Sequence, residues 1–142
     1  KQIKKFIDEV KPSTVLDYGC GGGLQYSGAN CHKFWGIDLP YMYDPHIEKY
    51  SIKPTEHFDL VLCIDVLECL HYDEFHDVLD EICSLGDAIY FKLNTKKATK
   101  ELRGGINMHT IINIEDWWYE TLEILVPEHI KKEISFEFDK DH

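Results

Sequence analysis

The chain has no long apolar segment. No run of about 18 consecutive apolar residues, the shortest that usually crosses a membrane, occurs among its 142 residues. The amino terminus also lacks the apolar core of a secretory signal peptide, although the first residue is Lys1 and not methionine. We therefore predict a soluble, cytoplasmic protein that has no membrane partner.

Cysteine pairs and basic residues are also scarce. The five cysteines are an odd number and form no Cys-x-x-Cys pair, which favours reduced thiols over a disulfide framework. The 15 Lys and Arg residues stand against 26 Asp and Glu residues, so the formal net charge is −11. A protein that follows nucleic-acid phosphates needs a basic face, and this balance argues against duplex DNA or RNA as a partner.

What the chain does have is a group of glycines after an apolar strand. The segment TVLDYGCGGG begins at Thr14 and carries glycines at positions 19, 21 and 23. Alternating glycines let the backbone turn sharply and let a ligand lie against the peptide. A second apolar segment, FWGIDL, brings Asp38 nineteen residues after Gly19, where a strand-end carboxylate can accept both hydroxyls of a ribose. Together they predict a nucleoside-binding crevice at the carboxyl ends of two parallel strands.

Two residues of this region discriminate between nucleoside cofactors. A dinucleotide fingerprint needs a small residue at its third glycine site, and Leu24 is too large for that site. Asp17, at the strand tip, would repel a pyrophosphate but suits a ligand that carries an ammonium and a sulfonium group. Both residues argue against a nicotinamide-dependent oxidoreductase.

The frame Asp17-x-Gly19-x-Gly21-x-Gly23 resembles motif I of the Rossmann-like (class I) S-adenosylmethionine-dependent methyltransferases. The resemblance implies that S-adenosylmethionine is the cofactor. It also implies that Asp17 lies near the methionine end of this cofactor and that the three glycines contact it.

A second segment, FDLVLCIDVLE from Phe58, resembles the fourth-strand region of the same family. Its near-continuous apolar run is typical of a strand buried on both faces of a parallel sheet. In the family, the backbone after this strand meets the amino-acid end of the cofactor, which implies a contact near Cys63 and Ile64. The family also binds the ribose after its second strand, which implies contacts with Asp38 and Leu39.

The order of these motifs predicts a reduced Rossmann-like α/β fold. We expect one domain over residues 1–142, built on a doubly wound, mostly parallel sheet. Leu122–Val126 and Ile130–Phe138 alternate around Pro127 and predict a C-terminal antiparallel strand pair. The other expected elements are a helix over Ile3–Val10, a helix of about two turns within Leu24–His32, a brief third strand near Tyr50–Ile52, a helix over 73–84, a strand over Ala88–Leu93 and a helix capped by Asn113.

A possible catalytic group follows the strand that begins at Phe58. Asp65, Glu68 and Cys69 stand at i, i+3 and i+4, so a helical turn would bring them to one face. This spacing resembles the E-x-x-E-H element of metal-assisted methyltransferases, some of which add a later histidine, here His109. The resemblance implies that Asp65, Glu68 and His109 face the acceptor. Because Cys69 replaces the histidine and a thiolate is a poor magnesium ligand, we assign no metal. The alternative is that the two acids accept bonds from nearby backbone donors and that Cys69 packs in the core.

The connection Asn94–Ile112 is long for a compact domain and contains Gly104-Gly105. It also holds four basic residues in an otherwise acidic chain, among them Arg103. Either this connection recognises an anionic group of the substrate, or it is a solvated loop.

The whole series of motifs, from LDYGCGGGLQY to GGINMH and the tryptophan pair at 117 and 118, resembles small methyltransferase-like proteins of tailed bacteriophages. The resemblances imply a methyltransferase that moves the methyl group of S-adenosylmethionine to an oxygen or nitrogen of a small-molecule or terminal-hydroxyl acceptor. The alternative is a non-catalytic module or accessory subunit that binds S-adenosylmethionine or S-adenosylhomocysteine. The acceptor, the use of a divalent metal and the oligomeric state stay open at this point.

Overall fold

A parallel sheet lies at the centre of the computed structural model, which describes residues 2–95, 101–102, 106–107 and 114–136. The strands are β1 Val15–Tyr18, β2 Tyr41–Tyr43, β3 Phe58–Ile64, β4 Gly86–Leu93, β5 Glu101–Leu102, β6 Ile106–Asn107 and β7 Lys131–Phe136. Five of them form the main sheet in the order β2-β1-β3-β4-β7, and all neighbours in it are parallel. The two shortest, β5 and β6, form a separate antiparallel pair.

Helices cover both faces of the main sheet. Their bounds are α1 Gln2–Val10, α2 Leu24–Ser27, α3 Cys31–Trp35, α4 Tyr72–Leu85 and α5 Glu115–Leu125. The first three pack against one face of the sheet, and α4 and α5 pack against the other. Within the described part of the chain, no helix is both long and apolar enough to cross a bilayer.

The central strand β3 explains why the fold has two cores. Val61 and Cys63 pack with α4 and α5, whereas Leu60 and Leu62 pack with α1, α2 and α3. All four side chains are at most 1% exposed, and burying each leucine stabilises the fold by about 1.5–3 kcal/mol. A strand that is buried on both faces needs apolar residues at odd and even positions alike. The prediction made from the apolar run after Phe58 is thus confirmed.

The connections place a crevice at one edge of the sheet. The chain runs from β1 to β2 on one side and then crosses to β3 on the other side, so β1 lies between them. Leu16 is accordingly in register with both Tyr41 and Val61. In open α/β sheets, ligands bind outside the carboxyl ends of the strands where the strand order reverses in this way.

The expected helix over 73–84 and the strand over Ala88–Leu93 are also confirmed, as α4 and β4.

The second strand is not where the sequence predicts it. The segment FWGIDL does not form a strand; Trp35 ends α3, and Gly36 follows in a left-handed conformation with φ of 74°. Glycine in this conformation commonly ends a helix. Trp35 is buried and packs edge-on against Tyr26, so this apolar residue belongs to the core between the helices and the sheet and not to a strand. The strand β2 starts only at Tyr41, which makes the prediction of a strand ending at Asp38 wrong.

The C-terminal antiparallel pair is also wrong. Residues Leu122–Leu125 complete α5, and β7 pairs with β4 in parallel. A helix between two strands carries the chain back along the sheet, so the second strand starts from the same end as the first. Pro127 follows the end of α5, as proline often follows a helix.

Two smaller expectations also differ from the fold. The helix expected within Leu24–His32 is divided into α2 and α3, because Gly28 ends α2 and Asn30 takes a left-handed conformation with φ of 53°. The segment with the expected third strand forms a single 3-10 turn at Glu48–Tyr50. The proposed cap Asn113 lies outside the described residues.

Candidate functional site

The glycine loop after β1 has a backbone that side chains would disturb. Gly19, Gly21 and Gly23 all have left-handed φ values, of 80°, 60° and 74°. A Cβ atom at Gly19 would lie 2.5 Å from Cγ2 of Val66, and one at Gly23 would lie 3.0 Å from Sδ of Met42. A Cβ atom at Gly21 would meet no atom of the described residues within 4 Å. A side chain at Gly19 or Gly23 would therefore force its neighbours to move, whereas Gly21 leaves a peptide open to a ligand.

The end of β2 holds this loop. The N–H groups of Gly19 and Cys20 donate to the carbonyl oxygen of Tyr43, at 2.7 and 3.2 Å. The N–H of Gly21 donates to Oδ2 of Asp44 at 2.9 Å. The loop after β1 and the residue after β2 therefore form one hydrogen-bonded unit.

Asp44 is the first residue after β2 and is half-buried. Its other carboxylate oxygen, Oδ1, accepts a hydrogen bond from the N–H of His46 at 2.9 Å. An ionised carboxylate offers about four acceptor positions, so about two remain for a ligand. Sequence reasoning missed this residue. The available signal was the short apolar run YMY directly before an acid and Pro45.

Asp38 and Leu39 lie at the opposite edge of the sheet. They line a shallow groove with Ser13 and Thr14, which precede β1, and with Phe58, which starts β3. These are the amino ends of the strands. The fold therefore does not bring Asp38 or Leu39 to the glycine loop.

A cleft of about 260 Å³ lies at the carboxyl ends of β1, β2 and β3, next to the start of α4. Small-ligand sites usually have about 300–1,000 Å³, so the cleft lies just below that range. It combines apolar side chains with several carboxylates. Its lining residues are Tyr18, Gly19, Asp44, Pro45, His46, Asp65, Val66, Cys69, Leu70, Glu74 and Val78.

Asp17 supports the glycine loop from within the protein. It is 2% exposed and does not line the cleft. Its Oδ2 accepts hydrogen bonds from the Tyr26 hydroxyl and, at 2.9 Å, from Nε2 of Gln25. Burial raises the pKa of Asp17, and these two hydrogen bonds oppose the rise. Nε2 of Gln25 also lies 3.4 Å from the carbonyl oxygen of Cys20, which joins Asp17 to the loop.

The turn after β3 forms the opposite wall of the cleft. Cys63 is 1% exposed with its side chain in the core, and burial raises its pKa well above the ordinary value. Asp65 is exposed and lines the cleft, with a left-handed φ of 57°. Its N–H donates to the carbonyl oxygen of Lys92 at 2.9 Å, and Nζ of Lys92 lies 3.9 Å from its Oδ2.

The other predicted catalytic residues occupy different surroundings. Glu68 is fully buried and does not line the cleft. Cys69 lines it and keeps part of its surface exposed, but neighbouring atoms partly desolvate its thiol, which, with the nearby carboxylates of Glu68 and Asp65, raises its pKa to about 11. This thiol is therefore protonated near neutral pH. His109, with Gly104, Gly105 and Arg103, lies outside the described residues.

No set of three or more His, Cys, Asp and Glu side chains in the described part of the chain could hold a metal ion. The backbone of His71, which follows this turn, begins α4: its N–H donates to Oε1 of Glu74 at 3.0 Å, and its carbonyl oxygen accepts from the Glu74 N–H at 3.1 Å.

A family model described as a methyltransferase domain matches residues 1–133. The chain belongs to this methyltransferase domain family. The match contains the glycine loop, Asp44 and the whole cleft, and the family indicates methyl transfer as the general activity of the domain. No curated protein and no solved structure matches this methyltransferase domain. The finer resemblance to bacteriophage proteins stays a prediction.

Proposed function

We propose that the domain binds S-adenosylmethionine in the cleft at the carboxyl edge and transfers its methyl group to an oxygen or nitrogen of a small or terminal acceptor. The observation that carries the proposal is the unit formed by the glycine loop and Asp44. It combines an open peptide at Gly21 with a carboxylate that has free acceptor positions, and it lies where the strand order reverses.

The charges of the cleft favour this cofactor over a dinucleotide. Asp44, Asp65 and Glu74 bring three carboxylates to the lining, and none of the described lining residues is Lys or Arg. A cleft lined by one sign of charge attracts ligands of the opposite sign. The sulfonium and ammonium groups of S-adenosylmethionine suit such a lining, whereas the pyrophosphate of a nicotinamide dinucleotide does not.

The ribose and the amino-acid end of the cofactor both have residues that would hold them. Asp44 would accept hydrogen bonds from the ribose hydroxyls, in place of Asp38. The backbone at Gly19 and Gly21 would lie against the cofactor, and the turn at Asp65 and Val66, directly after Cys63 and Ile64, would meet its amino-acid end. Asp17 would act through the loop that it supports.

Bound S-adenosylmethionine supplies an electrophilic methyl group, so the protein has to orient the acceptor and receive its proton. Asp65 is the described side chain best suited to this, because it is an exposed carboxylate in the cleft wall. The neutral thiol of Cys69 lies in the same wall and could contact the acceptor, but it is a poor nucleophile in this form. His109 stays a predicted base or ligand. The acidic lining also argues against an acceptor within duplex nucleic acid.

Calorimetry with S-adenosylmethionine, S-adenosylhomocysteine and NAD tests the cofactor. We expect both sulfur ligands to bind and NAD to fail; binding of NAD alone would overturn the proposal. Release of S-adenosylhomocysteine in a panel of hydroxyl and amine acceptors then tests catalysis. Binding without turnover of any acceptor would instead support the non-catalytic module.

A further inference from the structure

A fully buried carboxylate stands behind the wall of the cleft. Glu68 is 0% exposed and lies in the 3-10 turn Leu67–Cys69. Burying a charged group is costly unless hydrogen bonds compensate for the lost water. Oε2 of Glu68 accepts such a bond from the N–H of Asn94 at 3.0 Å. The carboxylate thus has a structural contact that does not involve the cleft.

This contact joins two segments that are 26 residues apart in the chain. One is the turn after β3, and the other begins directly after β4. The N–H of Asp65 donates to the carbonyl oxygen of Lys92 at 2.9 Å, only two residues before Asn94. The turn is therefore attached to the end of β4 through Asp65 at its start and through Glu68 near its end.

The turn needs such attachment because its backbone is unfavourable. Asp65 has a left-handed φ of 57°, which costs a residue with a side chain about 1 kcal/mol or more. Asp65, Val66 and Cys69 stand on either side of Glu68 in the chain, and all three line the cleft. A change in the position of Glu68 would therefore move the wall that a ligand contacts.

We propose that Glu68 is a positioning residue of the cofactor cleft. By accepting the N–H of Asn94, its carboxylate fixes residues 65–69 against the end of β4 and so places Asp65 and Val66 at the ligand. Glu68 does not itself touch the cofactor or the acceptor. This inference rests on the proposed binding of S-adenosylmethionine.

Two substitutions separate positioning from catalysis. Glu68→Gln keeps an oxygen that can accept the bond from Asn94, whereas Glu68→Met fills a similar volume without an acceptor. We expect Glu68→Gln to bind S-adenosylhomocysteine within about threefold of the parent and Glu68→Met to bind about tenfold more weakly or worse, the scale of a lost bond to a charged group. Glu120→Met, on the exposed side of α5, is the matched control and should bind like the parent.

Amide hydrogen exchange of Asn94, measured by NMR without any ligand, tests the contact itself. We expect this amide to be protected in the parent and in Glu68→Gln, and to exchange about tenfold faster or more in Glu68→Met. If Glu68→Met does not fold, the parent and Glu68→Gln decide the question, because an unprotected Asn94 amide in either would overturn the inference. Parent-like ligand affinity in a folded Glu68→Met would also overturn it.

The two proposals fail in different ways. If the parent protein does not bind S-adenosylhomocysteine at all, the proposed function fails, while the exchange of Asn94 still reports on the contact. If the parent binds and both Glu68 variants bind equally well, only the positioning role fails. If both variants also lost turnover, Glu68 would instead be assigned a role at the acceptor, as the sequence predicts.

Discussion

Asp44 and Asp38 offer a direct test of which edge of the sheet binds the cofactor. Asp44→Ala removes the acceptor of the Gly21 and His46 N–H groups and the positions proposed for the ribose hydroxyls. A hydrogen bond to a charged acceptor contributes about 1.5–3 kcal/mol. Since the loop also loses its support, we expect the binding free energy of S-adenosylhomocysteine to weaken by about 2–3 kcal/mol, roughly 30- to 150-fold.

The matched control is Asp38→Ala, which removes the same group from the opposite edge. Its effect on affinity should stay within about 0.5 kcal/mol, as for an ordinary surface substitution. Calorimetry gives the affinities, and urea denaturation of each variant without ligand separates a binding effect from unfolding. A larger loss in Asp38→Ala than in Asp44→Ala would refute the assignment of the ribose site. Parent-like affinity in both would refute the cleft as a whole.

Three further outcomes can be measured, two at the cleft and one at the contact between His57 and Asp87. Gly21→Ala should weaken binding of S-adenosylhomocysteine in calorimetry by about tenfold or more, because its Cβ would project into the proposed ligand space from a left-handed residue. Gly22→Ala is the control and should bind like the parent; its Cβ would also meet no described atom within 4 Å. Alkylation of Cys69 by iodoacetamide, followed by mass spectrometry, should be slow at pH 8 and accelerate towards its pKa of about 11, and S-adenosylhomocysteine should protect it; unchanged alkylation would place the ligand elsewhere. The hydrogen bond to Asp87 raises the pKa of His57 in the folded state. The stability that this contact contributes is therefore complete below about pH 6.5, the ordinary pKa of histidine, and is lost as the pH rises through the raised pKa of His57. The difference in urea midpoint between parent and His57→Gln should therefore be larger at pH 5.5 than at pH 8.5, and a reversed order would contradict this.

The elements around the cleft that the sequence predicted correctly are those with local signals. The left-handed glycines at positions 19, 21 and 23 indicate a sharp turn after a strand, because other residues avoid that conformation. The run from Phe58 and the periodicity of α4 are equally local, since they depend on which faces of a single element are buried. A cleft at the carboxyl ends of the strands could therefore be predicted, and the structure has a cleft there.

The second strand could not be located in this way, because two segments compete for the same role. FWGIDL and YMYD both place apolar residues before an acid, and the first has the more usual distance from the glycines. Packing decides between them: Trp35 is needed in the core against Tyr26, and Gly36 ends its helix. Neither contact is visible as a period in the sequence, so tertiary structure overrides the local pattern.

A similar competition explains the C-terminal error. Leu122–Val126 alternates well enough for a strand, but Trp118 and Leu122 are fully buried on one side of α5. The two residues are four positions apart, so a helix places both on the side that packs in the core, where Trp118 contacts Phe75. Once α5 occupies this face, the chain returns to the sheet as β7 in parallel, and no antiparallel partner is needed.

The short sheet also changes how the side of the cleft that contains Asp44 is held. In the described residues β2 pairs only with β1, so no neighbouring strand supports the chain after Tyr43. Glu81 of α4 supplies part of this support, because it accepts the hydroxyl of Tyr18 in β1 and its Oε1 lies 2.6 Å from Nζ of Lys53 in the connection after β2. The N–H of Asp44 donates to the carbonyl oxygen of Tyr50 in the same connection, at 2.9 Å. A loop clamped to a helix thus replaces the support that a third strand would give, and it keeps the carboxylate of Asp44 beside the glycine loop.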